Sequence, residues 1–256
     1  MPAGPSATIE LDVLGAGPAY SDRPGSAGAA YMLRSGSTAI VLDLGQGAFP
    51  RLAARLEPSS LDAVLVSHLH PDHFIDLVAL RHYLRWQFQP TRRVRVIAPA
   101  GLETRLDALH DEPGFTAASL DVEPIAVGSI DIGALRVEAV RVTHTKDSHA
   151  FRVSVPGDGV GLVYSGDCGR AEDLDPLIRT GDTVLSEVSF GPGPVARDAM
   201  HLDGPAVGAL AARTRAGRVL LTHLQMGFDP TATVESVTAI YDGPVHLVEP
   251  GAQFLI

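Results

Sequence analysis

Cysteine is nearly absent. Cys168 stands alone in 256 residues, which excludes an intramolecular disulfide and any zinc site built from several thiolates, and fits a reducing cytoplasm. Lysine is equally scarce: of twenty Lys and Arg side chains only Lys146 is a lysine, a bias that says more about genome base composition than about chemistry. Positive charge is in deficit overall, with a formal net charge of −10. Tight, sequence-independent binding of a polyanion draws on Lys and Arg neutralising phosphates, so the balance argues against a nucleic-acid partner. No apolar run approaches the roughly 18 residues of a membrane span, which argues against a membrane partner too. The start, MPAGPSATIE, has no basic segment followed by an apolar core and a small-residue cleavage site, so no secretory signal is expected and a cytoplasmic location follows. Repeats, low-complexity tracts and Ser/Gly linkers are also missing, and the chain reads as one large domain over residues 1–256.

What is present is a mixture of strand and helix patterns. Strand-like runs occur at 8–15, 29–34, 38–44 and 63–67, and again in VRVIAP, LRVEAVRVTH, AFRVSV, VGLVYSGD, TVLSEVSF, RVLLTH and VHLVE. Helical patterns lie near 48–57, 73–87, 101–110, 171–180, 203–215 and 231–241, and GPGPVARDAM reads as a loop. The strands come in hairpin-like groups as well as alternating with helices. That order predicts an α/β (α+β layered) chain, an αββα sandwich of two mixed β-sheets flanked by helices.

Two suggestive motifs fail. LGAGPAY has Gly15 and Gly17 after a strand, but Tyr20 stands where a dinucleotide fingerprint needs its third glycine and Pro18 where the helix should open, so a tight turn is the better reading. RHYLRWQFQPTRRVRV mimics a basic, aromatic nucleic-acid surface. The expectation is a helix end whose aromatics pack inward and whose arginines are solvated.

SHLHPDHFID, residues 67–76, is different. His68, His70, Asp72 and His73 form H-x-H-x-D-H directly after an apolar strand-like run, and burying so many polar groups without a partner would be costly. A metal ion supplies that partner. His68 and His70, two apart in an extended segment, point to one side and can grip one ion; Asp72 and His73, at the start of the next helix, can turn toward a second. Nitrogen and carboxylate ligands suit zinc, with manganese or iron as substitutes. Further ligands are expected at strand ends, and VRVTHT, VYSGD and VLLTH offer His144, Asp167 and His223 in order.

With those residues the chain resembles the metallo-β-lactamase-fold hydrolases, in particular the ribonuclease Z-like branch, from LDVLGAGPAY and VLDLGQG through SHLHPDH and YSGDCG to MHLDGPAVGALAARTRAGRVLLTH. The resemblance implies that His68, His70 and His144 bind a first metal, that Asp72, His73 and His223 bind a second, and that Asp167 bridges them. It also implies that His201 in MHLDGPAVGALA assists phosphodiester hydrolysis; Asp72, besides its ligand role, is counted with His201 as catalytic. His82, His110, His149 and His246 are read as surface or packing residues, Cys168 as a small buried neighbour of Asp167, and Asp43 as a residue of a turn or one that supports a ligand.

Two divalent ions, zinc first, make hydroxide available near neutral pH and polarise the bond under attack, so hydrolysis is the natural output. Transfer-RNA-processing members of the branch carry a long RNA-gripping insertion between the residues matched by His144 and Asp167. Here 145–166 are taken up by two strands and the turn PGDG. The expected function is therefore a dinuclear-metal phosphodiesterase for a small phosphodiester such as cyclic AMP, in a chain that a homodimer would suit. Hydrolysis of a lactone, thioester or other small ester is the alternative. A transfer-RNA 3′ endonuclease, an inert partner of an RNA-processing assembly and a diiron redox module are more distant ones.

Overall fold

A computed structural model describes residues 8–196 and 198–256. The residues before Thr8, where the leader was sought, lie outside them. In chain order the first sheet takes β1 (Glu10–Gly15), β2 (Ala30–Ser35), β3 (Thr38–Leu42), β4 (Ala63–Leu65), β5 (Val94–Ala98) and β6 (Leu120–Pro124). The second takes β7 (Gly128–Ile132), β8 (Leu135–Val142), β9 (Ser148–Ser154), β10 (Gly161–Tyr164), β11 (Thr183–Glu187), β12 (Arg218–Thr222) and β13 (Val245–Leu247), and β14 (Gln253–Leu255) returns to the first. The spatial orders are β14-β1-β2-β3-β4-β5-β6 and β13-β12-β11-β10-β9-β8-β7. Each sheet is part antiparallel, part parallel: β3 to β6 and β10 to β13 run parallel, the rest antiparallel. Helices α1 (Phe49–Arg55), α2 (Pro71–Phe74), α3 (Leu77–Trp86) and α4 (Leu102–Ala108) belong to the first half of the chain, and α5 (Gly204–Thr214) and α6 (Pro230–Thr238) to the second. The expected αββα sandwich of two mixed sheets is what the chain forms.

The layering follows from the period of two along each strand. Ile40 and Leu42 enter the core between the sheets while Ala39 and Val41 pack outward under the helices. In the second sheet Leu162, Tyr164, Leu185 and Leu220 face inward, and Val163, Val184, Val219 and Leu221 pack outward. Both faces are covered, so these strands read as continuous apolar runs.

Several boundaries differ from the sequence reading. The pattern over 73–87 divides into α2 and α3, because the Asp76 N–H donates to Leu44 O (3.0 Å) and not to the preceding helical turn. Residues 171–180 hold only a 3-10 turn, Ala171–Leu174, since Pro176 cannot continue a helix. β6, β7 and β14 went unread; they are short strands at or beside sheet edges, and four of the five β7 residues are exposed, so their patterns carry little hydrophobic signal. No turn forms at LGAGPAY: Gly17 makes an isolated parallel bridge to Gly28, and the chain turns only at Pro24 and Gly25. The basic-aromatic segment is partly inverted: Trp86 is 66% exposed while Arg81 is fully buried. Arg81 is tolerated inside because it donates to Leu106 O (2.7 Å) and Thr116 Oγ1 (2.9 Å).

A second buried guanidinium ties the far end of the sandwich. Arg152 donates through Nε and Nη2 to Asp182 (2.8 and 2.9 Å), and both residues are essentially inaccessible. Asp182 also accepts the N–H groups of Gly161 and Arg179 (2.7 and 2.8 Å). Asp182→Ala would leave the buried cation only the longer contacts to Glu138 (3.3 Å) and Gly159 O (3.4 Å), so a loss of about 3 kcal/mol is expected in urea unfolding; a loss below about 1 kcal/mol would show that Glu138 or solvent is partner enough for Arg152.

Candidate metal centre

The site lies where the loops after β4, β8, β10 and β12 converge. Asp167 and His223 follow parallel strands whose C-terminal ends share one edge of the second sheet, and the SHLHPDHFID loop approaches from the first. His68 and His70 do not continue the strand, as their alternation had suggested. β4 ends at Leu65, and the histidines sit in a bend with their rings edge-to-face at 4.6 Å. Asp72 and His73 are in α2, whose first turn begins at Pro71. Gly45 lets this loop close, because a Cβ there would run into the Asp72 carbonyl. His223 holds a left-handed φ of 59°, its N–H donating to Ala16 O (2.9 Å).

All seven predicted ligands come together. One group joins His68, His70, His144 and Asp167, a second Asp72, His73 and His223, with the ligand atoms of each group within 4.8 Å of one another. The two carboxylate oxygens of Asp167 divide between them. Oδ2 lies 3.7 Å from His68 Nε2 and 3.6 Å from His144 Nε2, and Oδ1 lies 3.3 Å from His73 Nε2 and 3.5 Å from His223 Nε2. Asp72 Oδ2 is 3.7 and 3.6 Å from the same two nitrogens, and His70 Nδ1 is 3.2 Å from His144 Nε2. Ligands about 2.0–2.1 Å from an ion at tetrahedral angles stand about 3.3–3.4 Å apart, the spacing found here.

The protons show why a cation fits. Asp43 is acceptor-only when ionised, so Ser67 Oγ (2.7 Å) and His73 Nδ1 (2.7 Å) must both donate to its Oδ2. Ser67 has then spent its proton and accepts from His68 Nδ1 (3.1 Å). His144 Nδ1 donates to Met200 O (2.7 Å). In the neutral rings of His68 and His144, Nε2 is thereby left as a bare lone pair aimed at Asp167 Oδ2. Among the described residues, His68 Nε2, His73 Nε2 and Asp167 Oδ1 are buried without a hydrogen-bond partner. Lone pairs facing one another in a buried cluster repel unless a positive charge lies among them. Burial depresses the pKa of His68 strongly and those of His70 and His144 too, which keeps these rings in the neutral, ligand-competent form. His73 is the opposite case: burial pulls it down, but the Asp167 and Asp43 carboxylates outweigh this and hold it well above the ordinary value.

His201 stands beside both groups. Its ring is 4.7 Å from that of His144 and 6.3 Å from that of His223, and Nδ1 lies 3.9 Å from Asp167 Oδ2. Asp203 caps α5 through Ala206 N–H (2.9 Å), with Pro205 in the first turn, so His201 enters a fixed element as its sequence suggested. Its nearest partner was not foreseen. Glu187, 1% exposed, accepts from His201 Nδ1 (2.9 Å), Cys168 N–H (2.9 Å), Ser189 N–H (3.0 Å) and Ser189 Oγ (2.6 Å). Asp167, Glu187 and His201 also form a potential ligand group, but the donors already committed to Glu187 make it an anchor for the imidazole. Burial lowers His201, and the Glu187 hydrogen bond and charge more than reverse this, leaving its pKa raised. A glutamate inside an apolar strand run, TVLSEVSF, was the available signal. Cys168 is buried and its thiol pKa is pushed up by burial, so it stays a thiol. His82 and His110 pack around Phe115, His149 is buried in β9, and His246 is exposed.

A two-sheet sandwich carrying such clusters at one edge defines a metallo-hydrolase class. The β-lactamase superfamily domain model matches residues 40–224, and the chain belongs to that family. It is 32% identical to the uncharacterized protein ML1173 of Mycobacterium leprae over 98% of this chain and 90% of that one. It is 25% identical to ribonuclease Z of Mycobacterium bovis over 70% of each. Among solved structures, the metallo-β-lactamase fold protein YhfI of Bacillus subtilis superposes with a TM-score of 0.85 at 19% identity, covering 98% of this chain and 100% of that one. A diphosphatase of the PhnP family superposes with a TM-score of 0.73 at 16% identity, covering 96% and 97%. These superpositions establish the fold.

Asp43→Ala removes the acceptor that orients His73 and Ser67. Metal affinity measured by chelator competition is expected to fall about 10- to 100-fold. Unchanged affinity would show that His73 is oriented by its helix alone.

Proposed function

We propose that the chain is a dinuclear metal-dependent phosphodiesterase for small phosphodiesters, with a cyclic nucleotide such as cyclic AMP as the first candidate substrate. His68, His70, His144 and Asp167 would hold one ion and Asp72, His73, His223 and Asp167 the other, zinc being favoured by the nitrogen-rich set. Bound there, divalent ions supply activation of the attacking water and polarisation of the phosphoryl group. The observation that carries the reading is His201: an eighth polar side chain at the cluster, needed by neither ligand group and pinned through Nδ1 to Glu187. With Nδ1 so engaged, Nε2 is left to donate to the departing alkoxide or to a non-bridging oxygen. The raised pKa of His201 favours the donor form.

Substrate size rests on what lies between His144 and Asp167. Those residues form β9, β10 and their connections, with no added arm, and the net charge of −10 disfavours a polyanion. The kinship to ribonuclease Z and the fold shared with a PhnP-family diphosphatase are consistent with phosphoester chemistry.

Reconstituted protein is expected to bind about two metals per chain by elemental analysis and to hydrolyse bis(p-nitrophenyl) phosphate and cyclic AMP in preference to precursor transfer RNA, a homoserine lactone or a thioester. One ion or fewer would refute the dinuclear assignment. Turnover of only the lactone or thioester would replace the phosphodiesterase reading with the small-ester one.

His201→Ala is expected to keep both metals and the fold while kcat on a phosphodiester drops on the order of 10²- to 10³-fold. Near-normal turnover would reduce His201 to a packing residue. Loss of a metal would make it a ligand.

A further inference from the structure

Phe190 follows β11 by three residues, on the same edge as the candidate metal centre. It is half-buried yet belongs to none of the three apolar clusters of the sandwich. Its ring lies edge-to-face with His201 at 5.8 Å and with Phe228 at 6.3 Å. The support behind it is stiff. Phe228 packs against Gly191, where a Cβ would collide with the ring at 2.7 Å, and the loop bearing Phe228 is tied by Gln225 N–H to Ser189 O (3.3 Å). Arg23 clamps the same loop through Leu224 O (2.7 Å). Phe190 N–H donates to Leu202 O (3.1 Å), joining it to the segment that carries His201. A large apolar ring that contributes to no core, held rigidly beside the imidazole assigned to the leaving group, is suited to receive a planar partner.

We propose that Phe190, backed by Phe228, is a stacking wall for the leaving-group side of the substrate, and that this side carries a planar heteroaromatic ring such as a nucleobase. The inference rests on the phosphodiesterase reading for its orientation. A base stacked on Phe190 would lie next to His201, so the group that recognises the substrate and the group that protonates its departing oxygen would act on the same half of the molecule. Stacking of this kind tolerates different bases, because every base offers a π-face.

The test is binding of AMP and of ribose 5-phosphate, which lacks the base, to metal-loaded protein by calorimetry. It needs no turnover, so failure of the phosphodiesterase reading in the hydrolysis panel and failure of the stacking wall are separate results. The native chain is expected to prefer AMP on the order of tenfold. Phe190→Ala should abolish that preference by weakening AMP alone, with ribose 5-phosphate binding and metal content unchanged. Phe190→Leu, which keeps apolar volume, should lose most of the preference, and Phe190→Trp should retain it. Absence of a preference in the native chain overturns the proposal. So does a preference that survives in Phe190→Ala or Phe190→Leu, and if the alanine variant loses its metals the leucine and tryptophan variants decide.

Discussion

Asp43 is the constraint on which the rest of the site depends. Its carboxylate has no exposure and accepts four hydrogen bonds: Ser67 N–H (2.6 Å) at Oδ1, and Ser67 Oγ, His73 Nδ1 and Tyr164 OH (2.6 Å) at Oδ2. Three of these donors come from the histidine-rich loop of the first sheet, and the fourth comes from β10 of the second. One buried anion thus ties the loop that presents His68, His70, Asp72 and His73 to the strand that leads into Asp167. A second contact holds the same register: Tyr31 of β2 reaches Thr222 of β12 at 2.6 Å, one residue before His223, and its ring packs on Tyr164 at 5.0 Å. Removing any of these groups would leave a buried partner unsatisfied, so the protein's own hydrogen bonds hold the candidate ligands in place.

The two sheets contribute different things to the centre. The first supplies ligands from one contiguous loop, whose spacing is set by a bend and a single helical turn. The second supplies His144, Asp167 and His223 from three separate strands, brought together by hydrogen-bonded register. Strand ends are rigid, and their loops are free to vary. The same edge carries Glu187 at the end of β11, Phe190 three residues beyond it and His201 in the segment before α5, where side chains can be aimed outward without disturbing the candidate ligands.

Burial lowers the pKa of both kinds of histidine, and a neighbouring carboxylate decides which of them stays low. His68, His70 and His144 are pushed toward the neutral form because nothing negative compensates their desolvation fully. His201 shares the burial but has Glu187 at 2.9 Å, and the carboxylate wins. The first condition suits a ligand, the second a proton donor. His68 and His144 have a hydroxyl and a backbone carbonyl at Nδ1, whereas His201 has a carboxylate there. His73 belongs to the ligands by geometry although its carboxylates raise it, since Asp43 fixes which nitrogen faces the centre.

The sequence by itself determined the layered architecture and the identity of the seven clustered residues. Strand runs with apolar residues at every position report burial on both faces, and H-x-H-x-D-H is a local pattern whose spacing survives any tertiary arrangement. His144, Asp167 and His223 were legible because each ends an apolar strand, where a polar residue has few other reasons to be. Their pairing was another matter. Which oxygen of Asp167 faces which histidine, that Glu187 anchors His201, that Tyr164 and Ser67 converge on Asp43, and that Arg81 is buried while Trp86 is exposed all depend on contacts between residues far apart in the chain. The glutamate in TVLSEVSF stands out in the sequence but its partner does not, and the tyrosine in VYSGD looks like an ordinary strand residue until the sheets are packed. Only the tertiary structure decides their roles, because hydrogen-bond partners and desolvation are properties of the space around a side chain, and that space is lined by other segments.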